Sequence, residues 1–535
     1  YESPQFRIST AREFFMKFEE QYGAELPVFA GDMTPTWEDG AASTACETAM
    51  NRTTAARLAQ TETIWSMLHK TDAFPDKAFK EAWKNVILFS EHTWGASASG
   101  TDPHSKFTKD LWEGKKAYAD NASNQSQILY KQALSPLHVD KGGDFVHVLN
   151  TNLWNRTDVV FLDSMVNLNE KELITRTGEK VETQRLYDGR WAFVAENIPA
   201  LSSEVYQIVS KKKSSRRFVS MIAENKILNN GIVRVEIDEV KGTISSFKRV
   251  GDSYEYASNS GLNDYLYTGR YASDPQGIEQ ILNIRVLDDG AVAATLRIES
   301  KAPGCNTLWR DVTVYKGIDR VDICNTLDKQ DILDFENVRF VFPFNIQQPE
   351  ITMDLAMSEI HPEREQLEGV NKHYYSLQNG LAVGDLEHAV CLTTVDAPFV
   401  ELGSPSGLDY RLNPRHGYGW WQSAKISPIV YSWVMTNTWR TNYKASQGGT
   451  AKFRYSLQPC NPLDLKLKQR GAEREMELVA VASRSSQNIE QLFRLKGRHR
   501  IALSSIKPAD DGKGYIVCLH NMGKQSVCSS FVWGS

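Results

Sequence analysis

Two regimes of hydrophobic patterning divide this chain. Up to about residue 135, apolar positions recur every three to four residues, the spacing of one face of an α-helix. Thr10 and Glu13 form a capping-box pattern ahead of Phe14, Phe15, Phe18 and Tyr22, and Gly23 closes the run. A second box, Thr44 and Glu47, opens an unbroken helical pattern to about Lys70, roughly 40 Å long at about 1.5 Å per residue. A third helix is predicted from near Asp76, with Phe79, Ala82, Trp83, Val86 and Ile87 on one stripe, ending within 91–95. A fourth runs from about Thr108 to Ala133, marked by Leu111, Tyr118, Ala122 and Leu129. Three long helices with short connections predict an antiparallel bundle.

At Pro136 the period changes to two. The alternating runs 145–149 and 158–162 flank a turn-rich stretch, which predicts a hairpin-like pair. Similar short runs, such as 231–237 and 339–344, continue to the C-terminus with no long helix among them. Helices first and strands afterwards predict a chain of segregated α then β domains: the three-helix bundle, followed by β-sandwich and supersandwich domains. The divisions fall at 36–136 for the bundle, 137–215 for a small β-sandwich, 216–460 for a large β-supersandwich and 461–535 for a C-terminal β-sandwich. The basic cluster 211–217 lies between two of these and reads as a solvated interdomain turn.

Composition narrows the function more than the fold. A length of 535 residues suits three or four domains, and 41% hydrophobic with 24% charged residues excludes wholesale disorder. Lys plus Arg number 61 against 66 Asp plus Glu, so there is no basic surplus for nucleic acid. No run approaches the roughly 20 apolar residues of a membrane-spanning helix, so no membrane partner is expected. The 7 Cys are scattered with no C-x-x-C pair, which indicates neither a zinc ribbon nor a disulfide scaffold. Nucleophile-elbow, P-loop, H-E-x-x-H and dinucleotide fingerprints are all absent from the sequence. The start at Tyr1, with neither Met nor a signal peptide, suggests a processed chain or a fragment.

Three stretches carry candidate chemistry. His92 stands at the end of an apolar helix beside Glu91, Thr93 and Trp94. A neutral imidazole there can ligate a metal and Trp94 can stack on a sugar ring, although a helix-terminal His more often caps carbonyls or fills space. The loop 31–40 gathers three carboxylates and Trp37, and Trp37 beside Asp39 suits a carbohydrate as well as an ordinary capping loop. The stretch 435–449 is dense in amide, hydroxyl, aromatic and guanidinium groups, and 411–422 has a similar flavour with Arg415, His416, Trp420 and Trp421. His138 and Asp140 have the spacing of a metal-binding H-x-D pair, a motif short enough to arise by chance. Four N-x-S/T triplets, at Asn51, Asn121, Asn124 and Asn155, fall in predicted helices and a strand turn and read as coincidence.

Taken together, four segments resemble the rear part of a glycoside hydrolase family 38 α-mannosidase. The stretch 88–95 looks like the family's segment after the second bundle helix, where a histidine supplies a zinc ligand. The stretch 146–157, with Trp154, Arg156 and Thr157, resembles the opening of its β region. The stretch 230–245, with Arg234, Val235, Asp238 and Gly242, resembles a strand pair of its supersandwich, and 505–512 is similar to its terminal sandwich. The resemblance implies galactose-mutarotase-like β-domains, and makes 1–35 the remnant of the end of a β/α barrel. The rest of that barrel, which carries an H-x-D zinc pair, the Asp nucleophile and the general acid, has no match here.

On this resemblance the chain is the C-terminal portion of a retaining, zinc-dependent α-mannosidase, inactive alone because nucleophile and acid are absent. His92 becomes the one metal ligand in the chain, and the zinc site is incomplete, since zinc wants three or four protein ligands. No catalytic residue is expected. Trp37, Asp39, Thr93, Trp94, Arg440, Asn442 and Gln447 become the substrate-binding candidates, for a mannose-containing oligosaccharide or glycan. Thr93 stands where the family often has Asp, which bears on sugar specificity. A periplasmic or secreted location follows from exported bacterial members. The rival readings are a non-catalytic carbohydrate-binding or scaffold protein, and a polysaccharide lyase. A lyase toroid demands more helical sequence than the stretch before Pro136 holds.

Overall fold

The fold was analysed in a computed structural model, which describes residues 6–29, 31–33, 38–70, 74–91, 96–139, 142–162, 166–211, 218–269, 274–355, 358–406, 421, 423–439, 442–496, 501–523 and 526–533. Four helices come first: α1 (Ala11–Tyr22), α2 (Ala45–Leu68), α3 (Asp76–Phe89) and α4 (Lys106–Leu134). The capping box of α1 forms as expected, with Thr10 Oγ1 accepting from the Glu13 amide at 3.2 Å. None of its residues is buried, and Phe14, Phe15, Phe18 and Tyr22 form an exposed aromatic stripe.

The expected box at Thr44 does not form. A 3-10 helix, Glu38–Thr44, runs directly into α2, and the Thr44 hydroxyl donates back to the Ala41 carbonyl. With the hydroxyl engaged by the Ala41 carbonyl and no cap made to the helix amides, Gln447 Oε1 accepts from the Ala45 amide instead, at 3.1 Å. The bundle packs α2, α3 and α4 around Leu58, Ile64, Trp65, Phe79, Ala82, Val86 and Leu129. α2 is buried on most of its circumference because the β-domains cover its other side. Its polar residues are therefore tied to them: Gln60 Nε2 donates to the Glu477 carbonyl and Ser66 Oγ to the Ile506 carbonyl.

The predicted hairpin between 145–149 and 158–162 is not one. Strand Phe145–Asn150 pairs with Ser202–Ser210 and with Val479–Ser483, whereas Arg156–Leu162 pairs with Trp191–Ile198 in the facing sheet. Asn150 is the cause: its side-chain amide donates to the Trp154 and Ile198 carbonyls, and its Oδ1 accepts from the Asn152 amide. The turn is thus carried across to the other sheet rather than folded back. Val146, Val148, Val160, Leu162, Phe193 and Tyr206 fill the space between the two layers. The sandwich expected over 137–215 therefore includes a strand from 479–483.

The supersandwich is built on a nine-stranded antiparallel sheet in the order Gln280–Asp289, Ala293–Lys301, Cys305–Tyr315, Val321–Lys329, Gly449–Cys460, Ala389–Thr394, Gly380–Gly384, Glu350–Leu355 and Ser358–Ile360. A five-stranded sheet packs on it, with Asp264–Thr268, Asn337–Pro343, Ile429–Thr436, Phe399–Leu402 and Tyr375–Ser376 in that order. Alternating residues of both sheets, such as Leu296, Val312, Phe340, Phe342, Leu392 and Phe453, form one core. A short helix absent from the sequence expectation, α5 (Leu467–Glu475), follows the long strand Gly449–Cys460. Two strand pairs, Phe493–Lys496 with Ser530–Trp533 and Ile501–Pro508 with Tyr515–Asn521, end the chain.

Candidate functional site

Described parts of three stretches singled out in the sequence, Asp39 and Gly40, Phe89, and Tyr443 with Gln447, meet at one corner between the bundle and the five-stranded sheet. Its apolar floor combines Ala41 and Ala42 of the 3-10 helix, Phe89 of α3, Tyr374, Trp433 and Tyr443. Asp39 is fully buried there, and the Tyr374 hydroxyl donates to its Oδ1 at 3.1 Å. The Tyr443 ring covers Gly40 so closely that a Cβ at that position would lie 2.2 Å from it. Gly40 is needed for that approach, not for an unusual backbone angle.

The end of α3 is held from both neighbouring helices. Asn51 of α2 donates from Nδ2 to the Val86 carbonyl at 3.3 Å and to Ser90 Oγ at 3.1 Å. Lys115 of α4 donates from Nζ to the Leu88 and Glu91 carbonyls at 2.7 and 2.8 Å, and to the Glu91 carboxylate at 3.3 Å. An ammonium there neutralises the negative end of the helix dipole and satisfies carbonyls that the helix cannot. Burial pulls the Lys115 pKa down, against the opposing pull of Glu91. A lysine at this position was readable in the sequence, because Lys115 falls on the apolar stripe between Leu111 and Tyr118.

The long loop after strand Ile429–Thr436 closes the corner. Asn442 takes a left-handed backbone, φ 63°, and its amide donates to the Ala96 carbonyl at 3.1 Å, which ties this loop to the segment after α3. Gln447 is buried and holds the 3-10 helix: besides accepting from Ala45, its Nε2 donates to the Ala42 carbonyl at 2.7 Å and the Thr436 carbonyl at 3.2 Å. Trp439 and Tyr443 lie with ring centroids 5.4 Å apart, and Lys444 Nζ sits 4.9 Å over the Trp112 ring. From the 411–422 stretch, the Trp421 ring lies 4.2 Å from the His373 ring at a tilt of 35°, and its amide donates to His373 Nε2 at 3.1 Å. His373 precedes Tyr374 in the chain, so both aromatic loops connect to the residue over Asp39.

Of the sequence candidates, Asp39, Asn442 and Gln447 are thus brought together. Trp37, His92, Thr93, Trp94 and Arg440 lie outside the described residues, as does Asp140 of the H-x-D pair. Asp39 and Gln447 are committed to holding backbone and neighbouring side chains, so their role here is support. Tyr374 and Lys115 escaped the sequence reading, Asn51 entered it only as an N-x-S/T triplet, and Tyr443 only as a member of the stretch 435–449. Among the described residues, no three His, Cys, Asp or Glu side chains are grouped so as to hold a metal. Retaining glycoside hydrolysis needs two carboxyl groups about 5 Å apart across the bond. Asp39, sealed under Tyr374, is not presented for attack.

Comparison with known proteins is informative at the level of fold. No family model matches the sequence, and no curated protein matches it. An α-mannosidase from Enterococcus faecalis V583 is similar in structure, with a TM-score of 0.74 at 13% identity over 98% of this chain and 68% of that one. A protein of glycosyl hydrolase family 38, also from Enterococcus faecalis, gives a TM-score of 0.72 at 13% identity over 97% and 69% of the two chains. The chain therefore has the bundle-then-β-sandwich fold of these proteins nearly end to end, while about a third of each of them has no counterpart in it.

Proposed function

We propose that this chain forms the bundle and β-domains of a zinc-dependent, retaining α-mannosidase, and that the corner between them is one wall of its substrate pocket. The observation that carries the reading is a fold shared nearly end to end with an α-mannosidase, in which described residues next to the three candidate stretches pack at a single corner. The nucleophile, the general acid and most metal ligands then belong to a barrel ahead of Tyr1, and His92 is the ligand this chain contributes. Zinc bound there would polarise substrate hydroxyls; what this chain supplies is position. Lys115 and Asn51 fix the helix end next to His92, Gln447 and Tyr374 fix the 3-10 helix that follows Trp37, and Asn442 fixes the loop that carries Arg440.

Two further observations support the reading. The exposed aromatic stripe of α1 is the kind of surface another domain covers. The same stripe is where the resemblance expects the barrel to end. The ligand class is a mannose-containing oligosaccharide or glycan, which is bound by a mixture of aromatic, amide and hydroxyl groups rather than by charge.

The test is an assay with an aryl α-mannoside and added zinc. This chain alone should be inactive, and a polypeptide extended upstream through a barrel with paired carboxylates should turn over. Activity in neither form, with mannose still bound by this chain, would replace the proposal with a non-catalytic carbohydrate-binding protein. The lyase reading is not favoured by any observation, since α2, α3 and α4 make a three-helix bundle and not a toroid.

A further inference from the structure

A second cavity, of about 290 Å³, opens between α2, the far end of α4, the supersandwich and α5, and shares no lining residue with the corner. Four guanidiniums line it: Arg52, Arg57, Arg454 and Arg474. Their partners differ. Arg454 is neutralised by a two-point contact with Asp396, at 3.0 and 2.7 Å. Arg474 contacts Glu477 at 3.1 Å and Asp322 at 3.6 Å. Arg52 donates only to the carbonyls of Val395, Leu377 and Gln378, and Arg57 donates to the Ser126 hydroxyl. Neither of these two makes an ion pair among the described residues.

Two residues that line the cavity each bury a polar atom with no hydrogen-bond partner among the described residues: Arg474 its Nε and Thr394 its Oγ1. The Arg474 side chain is 9% exposed and Thr394 1%. Buried donors of this kind are costly unless something accepts from them. The carboxylates on the wall do not fill that role. Glu477 is engaged by Arg474, and Glu475 accepts from Asn379 Nδ2 at 3.2 Å while burial pushes its pKa up toward the neutral form. Tyr130, also on the wall, is pushed up to about 12 by burial and so keeps its proton for donation.

We propose that this cavity is a binding site for a small oxyanion of the size and charge of inorganic phosphate, held by Arg57, Arg474 and the Thr394 hydroxyl. Guanidinium forks suit such an anion, and the volume sits at the lower end of ligand pockets, enough for one small molecule. The bound anion clamps bundle to supersandwich, because Arg57 belongs to the first and Thr394 to the second. The site is separate from the proposed glycosidase reading and stands without it.

Calorimetric titration and thermal melting with phosphate, against chloride at matched ionic strength, test this. Phosphate should bind saturably and raise the melting temperature of the chain. Arg57→Gln should weaken binding about tenfold or more, in line with the loss of a charge-assisted hydrogen bond, and Thr394→Val should weaken it several-fold. Lys17→Gln, on exposed α1, should leave it unchanged. Equal stabilisation by phosphate and chloride would overturn the proposal and leave water as the occupant. Protection by mannose but not phosphate would overturn it in favour of a neutral polyol site. If Arg57→Gln fails to fold, Thr394→Val decides: undiminished phosphate binding in that variant overturns the assignment.

Discussion

Replacing Gln447 by Leu separates support from substrate contact, the two roles open to this residue. The side chain is buried and makes three hydrogen bonds, accepting from the Ala45 amide and donating to the Ala42 and Thr436 carbonyls. Leucine fills a similar volume but satisfies none of them. At about 1 kcal/mol net for each bond, and more for a buried group left without a partner, the loss comes to about 3–5 kcal/mol. The damage is local, since all three partners belong to the 3-10 helix, the start of α2 and the end of one strand. Hydrogen exchange read by mass spectrometry is therefore the sharper assay. Amides in 41–48 should exchange about a hundred to a few thousand times faster than in the parent chain, at about 1.4 kcal/mol per tenfold, with the strands of the nine-stranded sheet unchanged. Gln447→Glu refines the test. Its carboxylate can accept from Ala45 but faces two carbonyls, so it should be less stable at pH 7 than at pH 4, where a proton restores one donor. Unaltered exchange in 41–48, combined with loss of saccharide binding, would refute the support role.

Three other substitutions probe the same framework. Lys115→Met removes the three contacts at the end of α3 and should cost about 2–3 kcal/mol, measured by urea denaturation, with faster proteolysis after Glu91. Gly40→Ala places a Cβ inside the Tyr443 ring, which is itself 1% exposed, so a loss of about 1–3 kcal/mol should appear in thermal melts; a neutral result would mean that the ring is free to move. Asp158, paired with Arg156 of its own strand, joins the small sandwich to the supersandwich through Arg320. Burial alone would raise its pKa, yet the two guanidiniums bring it down to about 2. A lowered carboxylate pKa gives stability that is present above the unfolded value near 4 and lost as pH falls through the folded one. Asp158→Asn should therefore cost about 3–5 kcal/mol at pH 7, and the gap to the parent chain should narrow by about 1 kcal/mol at pH 3. A gap constant with pH would show that Asp158 is not charged in the fold.

What the sequence revealed followed from local chemistry. Helix α1 announced itself through the local capping box of Thr10 and Glu13, and α3 and α4 through their apolar stripes, because in those two one face is buried. Where tertiary contacts override local preference, the sequence misled. Thr44 and Glu47 have the letters of a capping box, but Gln447, 402 residues away from Ala45, performs the capping. The run after Asn150 has the look of a hairpin, but one asparagine side chain sends it to the facing sheet. α5 was invisible because it is short and polar, and contains Gly471, whose missing Cβ leaves room for Asn379. The corner itself was legible only as three unrelated compositions. Tyr374, the residue over Asp39, has no local signature at all, since its meaning depends on a partner 335 positions distant.

One element links the two places where this chain meets ligands in the readings above. Helix α2 begins at the corner, where Ala45 is held by Gln447, and carries Arg52, Arg57 and Gln60 along the wall of the second cavity. The span from Ala45 to Gln60 is about 22 Å at about 1.5 Å per residue, in a helix buried on most sides and therefore rigid. Its registration against the supersandwich is set by hydrogen bonds at both ends: Gln447 at the first turn, and Gln60 to the Glu477 carbonyl further along. A shift of α2 that opened the cavity would also move Ala45 and the 3-10 helix carrying Asp39. The polar residues along α2 thus hold the bundle against the β-domains and set the shape of the corner with the same contacts. This explains why a helix of 24 residues buries Gln60 and Ser66, where an ordinary bundle helix would expose them.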